Sequence, residues 1–120
     1  MSIDIYLDRV YNRSTYNCGH FVADVWQDLT GQAIHEAVAG IAQPVGKGRA
    51  VLTQLRTFKR IREPVSPCIV MLNPPRGLPH IGIYLRGRIL HITETGVGFD
   101  HIEVASVGFK QVRFYECLTK

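Results

Sequence analysis

The chain contains little cysteine, and its three cysteines stand apart at Cys18, Cys68 and Cys117. An odd number without Cys-x-x-Cys spacing disfavours both a disulfide framework and a zinc ribbon. Long apolar runs are also absent, because Asp4 and Asp8 interrupt the apolar pattern of the first ten residues. We therefore expect neither a signal peptide nor a membrane span, and synthesis in the cytoplasm. Release by lysis or within a particle stays compatible with this pattern.

A strong excess of charge of one sign is missing as well, since the chain has 14 Lys and Arg and 10 Asp and Glu. The one basic cluster comprises Arg56, Lys59, Arg60 and Arg62. Such a cluster fits a solvated helix end or contact with an anionic surface, and we favour the helix end and no nucleic-acid partner. With 46% hydrophobic residues and no low-complexity tract, residues 1–120 predict a single globular domain.

The first half of the chain has helical periodicity and the second half is rich in β-formers. Helices are predicted over residues 3–12, 18–29 and 48–58, with a further turn or two in "HEAVAGIA". Strands are predicted over residues 68–72, 80–85, 88–93, 101–105 and 111–117. This order predicts an α+β fold in which N-terminal helices pack on one face of a five- to six-stranded antiparallel sheet.

Two histidines belong to one predicted hairpin, "HIGIYLRGRILHIT", whose tight turn is Arg86-Gly87. Side chains alternate along a strand, so His80 and His91 share a face and lie diagonally across from each other. That spacing allows the two imidazoles to hydrogen-bond. Gly82, opposite His91, leaves room for the rings.

Cys18 lies in "YNCGHFVADVW" (16–26), at the start of the second predicted helix. It begins the apolar stripe that packs on the sheet, so its sulfur is expected to point towards the sheet. The helix N-terminus favours a thiolate. We therefore predict that Cys18 attacks, His80 holds the proton and His91 orients His80, with the Cys18 N–H facing an oxyanion. An inert buried thiol and a zinc site formed by the three residues are the alternatives.

These motifs resemble the NlpC family of cell-wall cysteine peptidases. The similarity lies in "YNCGHFV", "HIGIYL" and "RILHIT", in the order Cys, His, His, and in a separation of about 60 residues between the first two. The later "ETGVGFDHIEV" and "VRFYEC" are similar to short phage-tail members. The resemblance implies a papain-like fold, hydrolysis of amide bonds in peptidoglycan peptide stems through a thioester, phage tail proteins as partners, and no metal or organic cofactor.

Four further residues are weaker candidates for contact with the substrate or the oxyanion. The family uses a tyrosine upstream of the cysteine, which corresponds to Tyr16 or Tyr11 here; packing is the alternative role. Asn17 replaces the usual Asp before the cysteine, and His20 occupies a small-residue position. His20 points away from Cys18, so we expect a surface or packing role, with substrate contact as the alternative.

Two other functions fit the same residues. A non-catalytic tail or wall-binding module could keep the fold, although it has no need of a Cys-His-His set. "NCGHFV" is also similar to the "NCEHF" element of lecithin:retinol acyltransferase relatives, whose histidine strand precedes the cysteine. Here the cysteine comes first, which favours the NlpC type, while acyl transfer or deamidation on protein or lipid stays open.

Overall fold

One antiparallel sheet dominates the computed structural model, which describes residues 3–38 and 58–117. Its order is β1-β6-β2-β3-β4-β5. Within the described ranges the six strands are β1 (Phe58–Ile61), β2 (Cys68–Asn73), β3 (His80–Leu85), β4 (Arg88–Thr93), β5 (Gly96–His101) and β6 (Gln111–Cys117). The predicted α+β class and antiparallel sheet are confirmed.

The helices are α1 (Cys18–Thr30), α2 (His35–Val38) and α3 (Ile102–Ala105), preceded by a 3-10 turn at Asp4–Tyr6. The predicted start of α1 is confirmed, and Gly31 ends it in the left-handed conformation with φ 77°. None of the described helices has the length and apolar character needed to cross a bilayer. Of the helix predicted over residues 48–58, residues 48–57 lie outside the described ranges, and Phe58 belongs to β1.

The helix predicted over residues 3–12 is wrong, because only the 3-10 turn forms there. Tyr6 is fully buried and its hydroxyl donates to Asp28 Oδ2 at 2.6 Å. Leu7 and Val10, expected on the same inward stripe, are 51% and 77% exposed. A segment of about ten residues is too short to be helical by itself, so the anchoring of one tyrosine decides its conformation.

The strand predicted over residues 101–105 is also wrong. A two-residue turn at Glu94 and Thr95 brings the chain back at once, so β5 pairs with β4 from Thr93–Gly96 to Arg88–His101. The chain then enters α3, where His101 Nδ1 accepts a hydrogen bond from the Glu103 N–H at 3.3 Å. Five alternating residues are too few to distinguish a strand from a helical turn.

Both faces of the sheet are covered. On one face, α1 packs against the side chains of Ile81, Ile83, Leu90 and Ile92, forming the first core. On the other, Val70, Leu72 and Ile89 form a second core with Ala105 of α3. Helices therefore lie on both faces, which corrects the prediction of a single covered face.

Candidate active site

The first turn of α1 is fixed by the residues around Cys18. Asn17 caps the helix: its side-chain oxygen accepts from the Gly19 N–H at 3.0 Å, and the Asn17 N–H donates to His20 Nδ1 at 3.1 Å. This reciprocal capping box holds the helix start. A Cβ on Gly19 would lie 2.8 Å from the Val38 carbonyl oxygen, so only glycine lets α2 pack here. Asn17 and His20 thus position Cys18.

The Cys18 side chain is 1% exposed and belongs to the first core. Burial raises the pKa of its thiol, while backbone N–H groups of Ile81, Gly19 and Cys18 itself lower it, and burial dominates. The thiolate expected from the helix N-terminus is therefore not the resting form. The same three N–H groups are placed to stabilise a thiolate once the proton leaves.

His80, His91 and Asp100 form a hydrogen-bonded chain. His80 Nε2 lies 2.8 Å from His91 Nδ1, and His91 Nε2 lies 3.2 Å from Asp100 Oδ2. The pairing Leu85–Arg88 is the predicted hairpin register. His91 is buried at 9% exposure, and the His80 ring stacks on Phe109 with centroids 6.1 Å apart. The geometric prediction that the two imidazoles meet is therefore satisfied.

The chain of contacts assigns the ring protons. A carboxylate only accepts, so His91 Nε2 donates to Asp100 and His91 Nδ1 becomes an acceptor. His80 Nε2 then donates to His91 Nδ1, which leaves His80 Nδ1 as the unprotonated nitrogen. Burial and the neighbouring His91 lower the pKa of His80 to about 4, so this ring is neutral near pH 7. His80 Nδ1 is thus a free base without a partner in residues 3–38 and 58–117.

The sulfur and the imidazoles approach β3 from opposite faces. His80 pairs directly with Leu72 of the second core, whereas Cys18 belongs to the first core. The N–H of Ile81, the residue next to His80, lowers the pKa of the Cys18 thiol. Across the described residues, no hydrogen bond joins the thiol to either imidazole. The predicted Cys18–His80 proton transfer accordingly stays a prediction.

The register pairs of β3 and β4 end before the first residues of β3. The register runs from Leu85–Arg88 to Ile83–Leu90, so residues 80–82 have no register partner on β4. We call this place the β3–β4 gap. The Cys18 sulfur reaches its edge through Ile81, and His80 lies at its other side.

The two candidate tyrosines have different surroundings. The Tyr16 hydroxyl donates to Asp24 Oδ2 at 2.8 Å and accepts from Arg9. Both hydrogen bonds hold this hydroxyl on the outer side of α1. Tyr11 packs against the first core, where electrostatic repulsion from Cys18 contributes, after burial, to its raised pKa. Its hydroxyl has no partner within residues 3–38 and 58–117. Tyr11 is therefore the tyrosine available to the site.

A cavity of about 470 Å³ adjoins this tyrosine, lined by Tyr11, Asn12, Arg13 and Glu94. Arg13 is tied to the helix start, because its carbonyl accepts from Asn17 Nδ2 at 3.2 Å. Glu94 follows the end of β4, three residues after His91. The cavity thus presents one cationic and one anionic side chain beside Tyr11.

Asp100 was missed by the sequence analysis. Finding it requires the two-residue turn at Glu94 and Thr95, which places Gly98 opposite His91 and Asp100 diagonally across from it. This is the same diagonal relation that joins His80 to His91. The turn signal lies in "HITETGVGFD", and the prediction of a strand over residues 101–105 leaves it out.

Cys68 is buried in β2 and Cys117 lies partly buried in β6. Within the described ranges, no group of three His, Cys, Asp or Glu side chains could hold a metal ion. Comparisons with family models, curated proteins and solved structures found no match to this chain.

Proposed function

We propose that the chain is a thiol-dependent hydrolase of the NlpC, papain-like type that cleaves amide bonds in peptidoglycan peptide stems. The observation that supports this most is the His80–His91–Asp100 chain, which ends in a free imidazole nitrogen next to the residue that contacts Cys18. A partly buried chain of this kind has little purpose in a place that apolar side chains could fill at lower desolvation cost.

The reaction starts from a neutral pair. His80 Nδ1 takes the proton of the Cys18 thiol as the sulfur attacks the carbonyl carbon of the amide. The tetrahedral intermediate collapses to a thioester when the C–N bond breaks, and His80 gives the proton to the leaving amine. Water then attacks the thioester with His80 again as base, which releases the acid and restores the thiol.

This mechanism requires the His80 ring to reach the sulfur across the β3–β4 gap. The movement requires rotation of the His80 side chain and release of its hydrogen bond to His91, at a residue that is paired with Leu72 of β2 but has no register partner on β4. Catalytic hydrogen bonds are often long in the absence of substrate and tighten in the bound state. Binding of the substrate over the gap would supply the free energy for this rotation.

The oxyanion has two candidate donors in this proposal. The Cys18 N–H, in the first turn of α1, has no acceptor except its own sulfur within the described ranges. The Tyr11 hydroxyl is the second donor. The neighbouring cavity, with Arg13 and Glu94, would receive the charged groups of a stem peptide.

The burial of Cys18 favours a second candidate, a non-catalytic tail or wall-binding module of the same fold. A 1% exposed thiol with a raised pKa is an ordinary core cysteine unless a base is brought to it. Acyl transfer or deamidation differs from hydrolysis only in the groups exchanged at the thioester. Under the hydrolase proposal, phage tail proteins are the partners and the virion tail or the cell wall is the site of action.

Digestion of purified muropeptides by the wild type, Cys18→Ala and His80→Gln tests the proposal, with Cys68→Ala as the matched cysteine control. We expect new acid and amine termini with the wild type and Cys68→Ala, and none with the other two variants. Circular dichroism and urea unfolding verify that each variant is folded. Equal digestion by Cys18→Ala would refute the proposal, and binding without cleavage by the wild type would favour the wall-binding module.

A further inference from the structure

Three arginines converge far from Cys18, at the β1–β6 edge of the sheet. Arg60 and Arg62 come from β1 and the residue after it, and Arg113 comes from β6. Together with Ile61, Val112 and Phe114 they line a cavity of about 380 Å³. We call this cavity the arginine pocket.

The register brings these like charges close together. Arg60 pairs with Tyr115, and Arg113 is two residues from Tyr115, so Arg60 and Arg113 share a face as diagonal neighbours. Arg62 follows Ile61, which pairs with Phe114, the neighbour of Arg113. Like charges at such positions repel each other and reduce the stability of the sheet.

No ion pair offsets this repulsion in the part of the chain that the structure describes. The ion pairs found there involve Asp24 and Asp100, and none includes an arginine of the pocket. Glu116, the acidic residue of β6, lies opposite Lys59 in the β1–β6 register, so its side chain is on the face of the sheet opposite to Arg60.

We propose that the arginine pocket is a binding site for a phosphate group. Guanidinium groups bind phosphate oxygens through paired N–H donors, and a phosphate with up to two negative charges offsets three cations better than a carboxylate does. The cavity has room for on the order of ten water molecules, at about 30 Å³ each, so it accepts the phosphate together with part of the molecule that carries it.

The test is titration of the full chain with inorganic phosphate and with linear polyphosphate, followed by calorimetry and by NMR of the arginine side chains. Arg62→Gln is expected to weaken binding of both about tenfold. Lys59→Gln is the matched control, because it removes the same charge from the opposite face of β1, and we expect less than a twofold change. Cys18→Ala should bind as the wild type does, which separates this site from the proposed hydrolase site.

Several results would overturn the phosphate site. No binding of either probe at low salt, or equal weakening by Arg62→Gln and Lys59→Gln, would show that the pocket has no specific role. Displacement of phosphate by equimolar acetate would contradict the assignment to phosphate. The two probes identify the source of the group: similar affinities indicate a small phosphate compound, and tighter polyphosphate binding that still depends on Arg62 indicates a polymer.

Discussion

Replacing Asp100 by Asn is the sharpest test of the proton assignment in the His80–His91–Asp100 chain. The carboxylate accepts only, so it fixes the proton on His91 Nε2 and, through His91, leaves His80 Nδ1 free. An amide of the same shape can donate as well as accept. The bias towards the productive tautomers of both histidines therefore decreases, while the packing around Asp100 changes little.

The size of the effect follows from the contact itself. A hydrogen bond to a charged group contributes about 1.5–3 kcal/mol and a neutral one about 0.5–1.5 kcal/mol. The Asp100 side chain is 46% exposed, so water competes for it and the lower difference, about 1 kcal/mol, applies. At about 1.36 kcal/mol for each factor of ten, Asp100→Asn should lower kcat/KM about fivefold.

Two measurements check this expectation. Nitrogen-15 NMR of the histidine rings reports the tautomers directly, and we expect a mixture for both rings in Asp100→Asn but one tautomer each in the wild type. The Cys18-dependent rate of amide hydrolysis reports the consequence. Glu103→Gln, an exposed carboxylate-to-amide change in α3, is the control. Unchanged tautomers in Asp100→Asn would refute the relay, whatever the rate.

Three further expectations concern the same region. Gly98→Ala places a Cβ 2.8 Å from Asp100 Oδ2 and 3.1 Å from His91 Nε2, so this contact should be disturbed and kcat/KM should fall. The Tm, measured by calorimetry, should not fall, because alanine suits a strand better than glycine. The pKa of His80 is about 4 in the folded chain, against 6.5 for an ordinary histidine. The unfolded chain therefore takes up this proton first, and up to about 3 kcal/mol of unfolding free energy should be lost as the pH falls from 6.5 to 4. Urea unfolding across that range measures the loss, and His80→Gln should remove it. Asn17→Ala should cost about 1 kcal/mol in the same urea assay, because it removes the helix cap. Asn17→Asp should restore only part of this, since Asp caps a helix but cannot donate to the Arg13 carbonyl as Asn17 Nδ2 does.

The parts of the fold that were predicted correctly are those where the hydrophobic periodicity and the capping or turn residues indicate the same element. The helix from Cys18 has a continuous apolar stripe, a capping residue before it and Gly31 after it. The β3–β4 hairpin has alternating side chains and a turn of Arg86 and Gly87, both with positive φ. The short strand β1 was missed because four residues, two of them charged and exposed, carry little periodic signal.

The site was predictable to the extent that it depends on local geometry. A two-residue turn determines which strand residues face each other, and this determined the meeting of His80 and His91. The place of Asp100 beside His91 depends on a second turn, at Glu94 and Thr95. The predicted strand over residues 101–105 does not include that turn. The raised pKa of Cys18 depends on how completely α1, α2 and β3 enclose the sulfur, and no local pattern contains that information.

The position of Cys18 relative to the two histidines follows from the helical period of α1 and the alternation of side chains in β3, taken together. Alternation in β3 puts His80 on one face and Ile81 on the other, and the apolar stripe of α1 must cover the face of Ile81. A cysteine on that stripe and a histidine on β3 are therefore separated by the strand itself. Under the proposed mechanism they exchange a proton where β3 lacks a register partner on β4, and the register pairs of these two strands end at Ile83, three residues from His80. The end of this ladder is thus as necessary to the proposed chemistry as the thiol and the imidazole.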